Sequence, residues 1–159
     1  MQGLESVLFA MHSLFNRTDA QSILNRLDHL TPKTPGLWGR MTVSQMLAHC
    51  AEAMETATGK KNYPRTLLGR ILGPLFKRSY FNNKPFPKNS PTDKHFIILN
   101  EPDFAVEKER LRNSICEFAD GGGENCTKHP HSFFGKLAPE EWSIAMYKHL
   151  DHHLRQFGV

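Results

Sequence analysis

The residues Lys148-His149-Leu150-Asp151-His152-His153-Leu154-Arg155-Gln156 hold the densest reactive chemistry in the chain. His149 and His153 are four positions apart, so on an α-helix they stand about 40° from each other on one face. Two imidazoles one turn apart, roughly 6 Å, can converge on a single metal ion. On the same helical projection Trp142, Met146, Leu150 and Phe157 form an apolar arc. His153 falls inside that arc, His149 at its margin, and His152 on the side turned to solvent.

One helix supplies two ligands, and a bundle must supply a third from elsewhere. His49 is the candidate, in the middle of a second predicted helix and flanking an arc of Met46, Cys50, Ala53 and Ala57. Cys50 next to it is unsuited as a co-ligand, because adjacent helical positions point about 100° apart. Three neutral imidazoles leave a divalent ion with open positions, able to act as a Lewis acid or to lower the pKa of bound water to about 7. Zn, Ni and Fe all suit such a ligand set. Glu52, and more weakly Asp28, are the carboxylates that could orient the rings from behind. His129 and His131 lie on a loop that could line the site's mouth or satisfy local backbone. No phosphate-binding loop, GxGxxG turn, GxSxG elbow or HExxH motif competes with this reading.

The elements that must place these histidines are helical. Thr18-Asp19 can cap a helix reaching about residue 30, with Ile23, Leu24, Leu27 and Leu30 at helical spacing. Pro32, Pro35 and Gly36 end it and open a loop through Trp38. Thr42, with Gln45 three residues on, is a capping box for the helix that carries His49, and Gly59 closes it. Residues 63–81 are amphipathic but contain Gly69, Gly73 and Pro74, which predicts a broken helix packed across the bundle, with a membrane-surface role as the alternative. A proline-rich crossing loop covers 82–100, with a short strand or extended chain at 96–99. A further helix spans about 102–120, a loop covers 124–137, and the last helix begins at Pro139. Trp38 and Trp142 both read as core. Four main helices with two long connections give an all-α fold, a four-helix bundle with long crossover loops, as a single domain over 11–159 behind an extension at 1–10.

Composition narrows the function classes. Of 159 residues, 39% are apolar and 23% charged, which excludes a disordered chain and a coiled-coil rod. Charge-free runs, such as 7–15 and 71–76, reach about ten residues where a transmembrane helix needs roughly 20, so no membrane partner is expected. Glu5 and the lack of an early Lys or Arg argue against a secretory signal. Three cysteines without CxxC spacing fit a reducing cytoplasm. The formal charge of +4 includes a basic run of Lys60, Lys61, Arg65, Arg70, Lys77, Arg78, Lys84 and Lys88. It reads as a solvated edge, and no nucleic-acid partner is expected.

Met46-Leu47-Ala48-His49, together with a terminal helix reading His-x-x-His-His-Leu-x-Gln, resembles the DinB-like superfamily of metal-binding four-helix bundles. More closely, the chain resembles a branch classed as a domain of unknown function. The shared stretches are Leu37-Trp38-Gly39-Arg40-Met41, Lys84-Pro85-Phe86-Pro87-Lys88, Phe133-Phe134-Gly135-Lys136-Leu137 and the terminal helix, so the likeness covers about 11–159. It implies one divalent metal on His49, His149 and His153, the same three residues that helical spacing selects. Two departures stand out. Ala138 occupies the place of a capping Thr or Ser, and His131-Ser132 replaces a His-Pro pair.

The superfamily includes metal-dependent transferases that join low-molecular-weight thiols to electrophiles, which makes a small thiol and an electrophilic substrate the implied partners. A metal-dependent hydrolase is the rival enzyme reading, and a non-catalytic metal-stabilised binding or sensing module is the third. A homodimer is a further expectation, since relatives often pair.

Overall fold

Asn16 starts the first helix, α1 (Arg17–Asp28), by accepting hydrogen bonds on its side-chain oxygen from the Thr18 and Asp19 amides at 2.9 and 3.2 Å. The helix therefore begins before the Thr18-Asp19 cap expected from sequence. Asp19 is occupied otherwise: its carboxylate accepts from the Ser13 amide at 3.0 Å and from His12 Nδ1 at 2.8 Å. The computed structural model describes residues 11–82 and 84–159, so the extension expected at 1–10 lies outside the described residues.

Helix α2 (Val43–Ala57) opens on the predicted capping box, with the Gln45 amide donating to Thr42 Oγ1 and the Thr42 amide to Gln45 Oε1. Helix α3 (Leu67–Tyr80) runs through Pro74 without a break and is capped by Thr66. Helix α4 (Phe104–Gly121) is capped by Asp103 and passes into a 3-10 turn at Gly122–Asn125. Helix α5 (Pro139–Gln156) carries proline in its first turn. Ala138 has no side-chain acceptor, but Glu141 reaches back to accept from the Ala138 amide at 2.8 Å, so half of a capping box survives.

Among the described residues the fold is helical, with five α-helices, two 3-10 turns and no strand. Helices α1 and α2 each pack against both α4 and α5, closing a ring of four around one core. Ile23 and Leu27 of α1 meet Met46 and Met54 of α2, Leu111, Ile115 and Phe118 of α4, and Trp142 and Leu150 of α5 there. No helix is long and apolar enough to cross a membrane, among the described residues.

Helix α3 departs from expectation in a second way. It seats its glycine face, not Leu67, Leu68 and Leu75, on the rest of the chain. A side chain at Gly69 or Gly73 would collide with the backbone of Phe133, so the glycines permit a close approach where sequence suggested breaks. Leu67 and Leu75 are left 77% and 72% exposed, and Leu68 and Ile71 are exposed beside them. These apolar residues do not pack across the bundle.

Residues 96–99 form no strand. A 3-10 turn at Lys94–Phe96, capped by Asp93, leads into extended chain and lies against α2. That placement matters for His49.

Candidate metal centre

His49 from the middle of α2 and the pair His149 and His153 from α5 meet where the two helices pack. Four-residue spacing puts both α5 imidazoles on the face turned to α2, as the sequence required. The three ring centroids make a nearly equilateral triangle, with sides of 4.8, 4.7 and 4.7 Å. One ligand nitrogen from each ring lies within 4.8 Å of the other two, so the three residues could hold a metal ion.

Hydrogen bonds behind two of the rings decide which nitrogen faces inward. His49 Nδ1 is 2.8 Å from the Phe96 carbonyl. A carbonyl only accepts, so Nδ1 carries the proton and Nε2 presents its lone pair. His153 is fixed through one more link. The Gln156 side-chain amide donates to the Trp38 carbonyl at 2.8 Å, which leaves Gln156 Oε1 as the acceptor 2.9 Å from His153 Nδ1. His153 therefore also holds its proton on Nδ1 and keeps the Nε2 lone pair.

His149 completes the set. Its Nε2 lies 2.9 Å from His49 Nε2, while its Nδ1 is sealed from solvent with no hydrogen-bond partner among the described residues. Two nitrogens each about 2.1 Å from one ion and at a right angle would stand about 3 Å apart, so the spacing suits two ligands of one centre. The donor set fits a divalent ion in charge as well. Burial pushes the His49 and His149 imidazoles down and takes His153 to about 3, so none of the three carries a positive charge at pH 7 to oppose the ion.

The carboxylates proposed from sequence as ring partners are elsewhere. Glu52 binds Lys61, Arg110 and the Tyr63 hydroxyl, and Asp28 pairs with Arg112. Their part is taken by the Phe96 carbonyl and by Gln156. The first leaves no mark in sequence; the second had one, since Gln156 is three residues after His153 on the same face. His131 serves local backbone: its Nδ1 accepts from the Phe133 and Phe134 amides at 3.0 and 3.2 Å, and its ring packs on Trp142. His129 is exposed. His152 is half-buried beside Trp38, with ring centroids 5.9 Å apart. Cys50 is fully buried with its thiol pushed up by that burial, and it contacts Met46.

A cleft of about 330 Å³ opens beside the triad, with His153 and Gln156 in its lining and Trp38, Phe96 and Ile97 among its apolar walls. Trp38, expected as core, is a wall of this cleft, whereas Trp142 is core. A larger depression runs along α1 between Arg17 and His29, and none of the three clustered histidines lines it.

Residues 10–158 match a family model described as protein of unknown function (DUF1569). No curated protein and no solved structure matches the chain.

Proposed function

We propose that this chain, which belongs to the DUF1569 family, is a four-helix bundle of the DinB-like type that holds one divalent metal ion on His49, His149 and His153 and serves as a metal-dependent transferase joining a small thiol to an electrophile. The observation that carries this reading is the convergence of three neutral imidazoles, two of them with the inward lone pair fixed by the Phe96 carbonyl and by Gln156.

Bound there, a divalent ion would supply Lewis acidity and lower the pKa of a thiol. The chain's own residues do the rest. His49 and His153 are held in register from behind, so little reorganisation is required to present their nitrogens. Trp38, Phe96 and Ile97 give the cleft an apolar side that can receive an organic substrate and exclude water. Hydrolysis is less well served, since a water would need a nearby base and no Asp or Glu among the described residues lines that cleft.

A second reading has its own support. His49 and His153 are 3% and 7% exposed at the contact of two core helices, where an ion would also act as a staple. Metal content of the purified protein separates the possibilities. About one ion per chain is expected, retained in His152→Ala and lost in His49→Ala, His149→Ala and His153→Ala. Undiminished metal in His149→Ala would overturn the site. With the site established, product formation that needs metal, thiol and electrophile together supports the transferase. Loss of thermal stability on chelation, with no turnover of any thiol and electrophile pair, assigns the ion a structural role.

A further inference from the structure

The cleft beside His153 has a charge pattern that a metal site alone does not require. Arg40 lies in its lining with Asn89, Ser90 and Thr92, and no Asp or Glu does, among the described residues. Lys88, next to Asn89, places its Nζ 4.5 Å from the centroid of the Trp38 ring at the same wall. Elsewhere Arg26, Lys77 and Arg110 close on carboxylates, at 2.7 to 2.8 Å. Arg40 has no carboxylate partner among the described residues. Arg40 in the lining and Lys88 over the Trp38 ring thus set two cations beside an apolar wall, which favours an anion over a cation.

We propose that this cleft binds a small organic anion, a carboxylate or phosphate on an apolar body. Arg40 takes the acid group through its planar fork, and Lys88 adds a second positive charge. Trp38 and Phe96 pack the apolar part, which places the opposite end of the ligand toward His153. The volume of about 330 Å³ is near the lower end of ordinary ligand sites, about 300–1,000 Å³, so the ligand is small. The proposal rests on the reading of the triad as the reactive centre only for that direction; the binding itself requires Arg40 and Trp38.

The test uses 1-naphthoate, 1-naphthyl phosphate and the uncharged 1-naphthamide as probes, titrated by ligand-observed NMR into untreated and chelator-stripped protein, with metal content measured on each sample. At least one of the two anions is expected to bind about tenfold more tightly than the amide, and the better of the two identifies the acid group. Arg40→Gln should bring that anion to within about twofold of the amide, whereas Trp38→Leu should weaken all three probes. Arg40 is exposed, so its variant keeps the fold. Equal binding of amide and anions, or an anion preference that survives Arg40→Gln, would overturn the proposal. So would a preference that vanishes on stripping, which would seat the anion on the ion. Metal without anion preference sinks this inference alone, and anion preference in a protein that never holds metal sinks the triad reading alone.

Discussion

Gln156 accepts from His153 Nδ1 at 2.9 Å, and its own amide is pinned to the Trp38 carbonyl at 2.8 Å. The last turn of α5 and the loop before α2 are thus joined through the side chain that orients one of the three imidazoles. The Leu37 amide adds a backbone bond to the Gln156 carbonyl at 2.7 Å. Gly39, at φ +80°, lets the Gln156 amide come this close, because a Cβ there would strike it.

From this link follows the first prediction. Gln156→Leu keeps the volume but removes the acceptor, freeing the ring of His153 to turn and to change tautomer. Metal affinity should fall by about 10- to 100-fold, as for other partners that sit behind a ligand. Gln156→Glu keeps an acceptor toward His153 but sets its second oxygen against the Trp38 carbonyl, so its affinity should fall between those of wild type and Gln156→Leu. Competition against a chelator of known strength measures both. Equal affinity in wild type and Gln156→Leu would show that His153 needs no support.

Ala138 offers a second prediction. The first turn of α5 has only the Glu141 half of its capping box. Ala138→Ser would give an orphan amide a side-chain acceptor and complete the pair, so stability should rise by about 1 kcal/mol. Urea unfolding of the two proteins would register it as a higher midpoint at an unchanged slope. No gain would mean that water or Glu141 already satisfies that turn.

The triad was legible in sequence because its signal is local: i, i+4 spacing on α5 and a histidine at the margin of an apolar arc on α2. The helices that carry it announced themselves by caps, Thr42 with Gln45 and proline at 139. What sequence could not show is whatever depends on a distant partner. The continuity of α3 depends on Gly69 and Gly73 meeting the Phe133 backbone, some sixty residues away. The acceptor behind His49 is a backbone carbonyl, which any residue at 96 would bring. Glu52 had suitable spacing from His49, yet Lys61 and Arg110 claim its carboxylate. Charge partners on other elements decide such cases, and spacing along one helix does not contain them.

The glycine contact yields a third prediction. Gly73→Ala puts a methyl group into the Phe133 carbonyl, a backbone atom that cannot rotate away. Overpacking of this kind costs typically about 1–3 kcal/mol. Since α3 meets that loop through its glycine face, the cost should appear first as local detachment of the helix from the loop. Limited proteolysis should cut Gly73→Ala within 61–82 faster than wild type, with the core helices protected in both. Unchanged cleavage would mean that the loop at 132–134 shifts to accept the methyl.

His131 carries the last prediction, a pH dependence. Burial against Phe134 and Trp142 pushes its imidazole down to about 4, below the ordinary value of 6.5. Protonation would also take away the Nδ1 lone pair that accepts from the Phe133 and Phe134 amides. Between those two pH values the unfolded chain binds a proton that the folded chain refuses. The stability tied to this ring is therefore complete above about pH 6.5 and is lost as pH falls toward 4, a loss of at most about 3 kcal/mol. His131→Asn removes the titration, so its unfolding free energy should fall less steeply than that of wild type between pH 7 and 4.5. Metal-free protein is the right material, because acid would otherwise also displace an ion from the triad. Parallel pH profiles would mean that the His131 ring takes up its proton in the folded chain as readily as in the unfolded one.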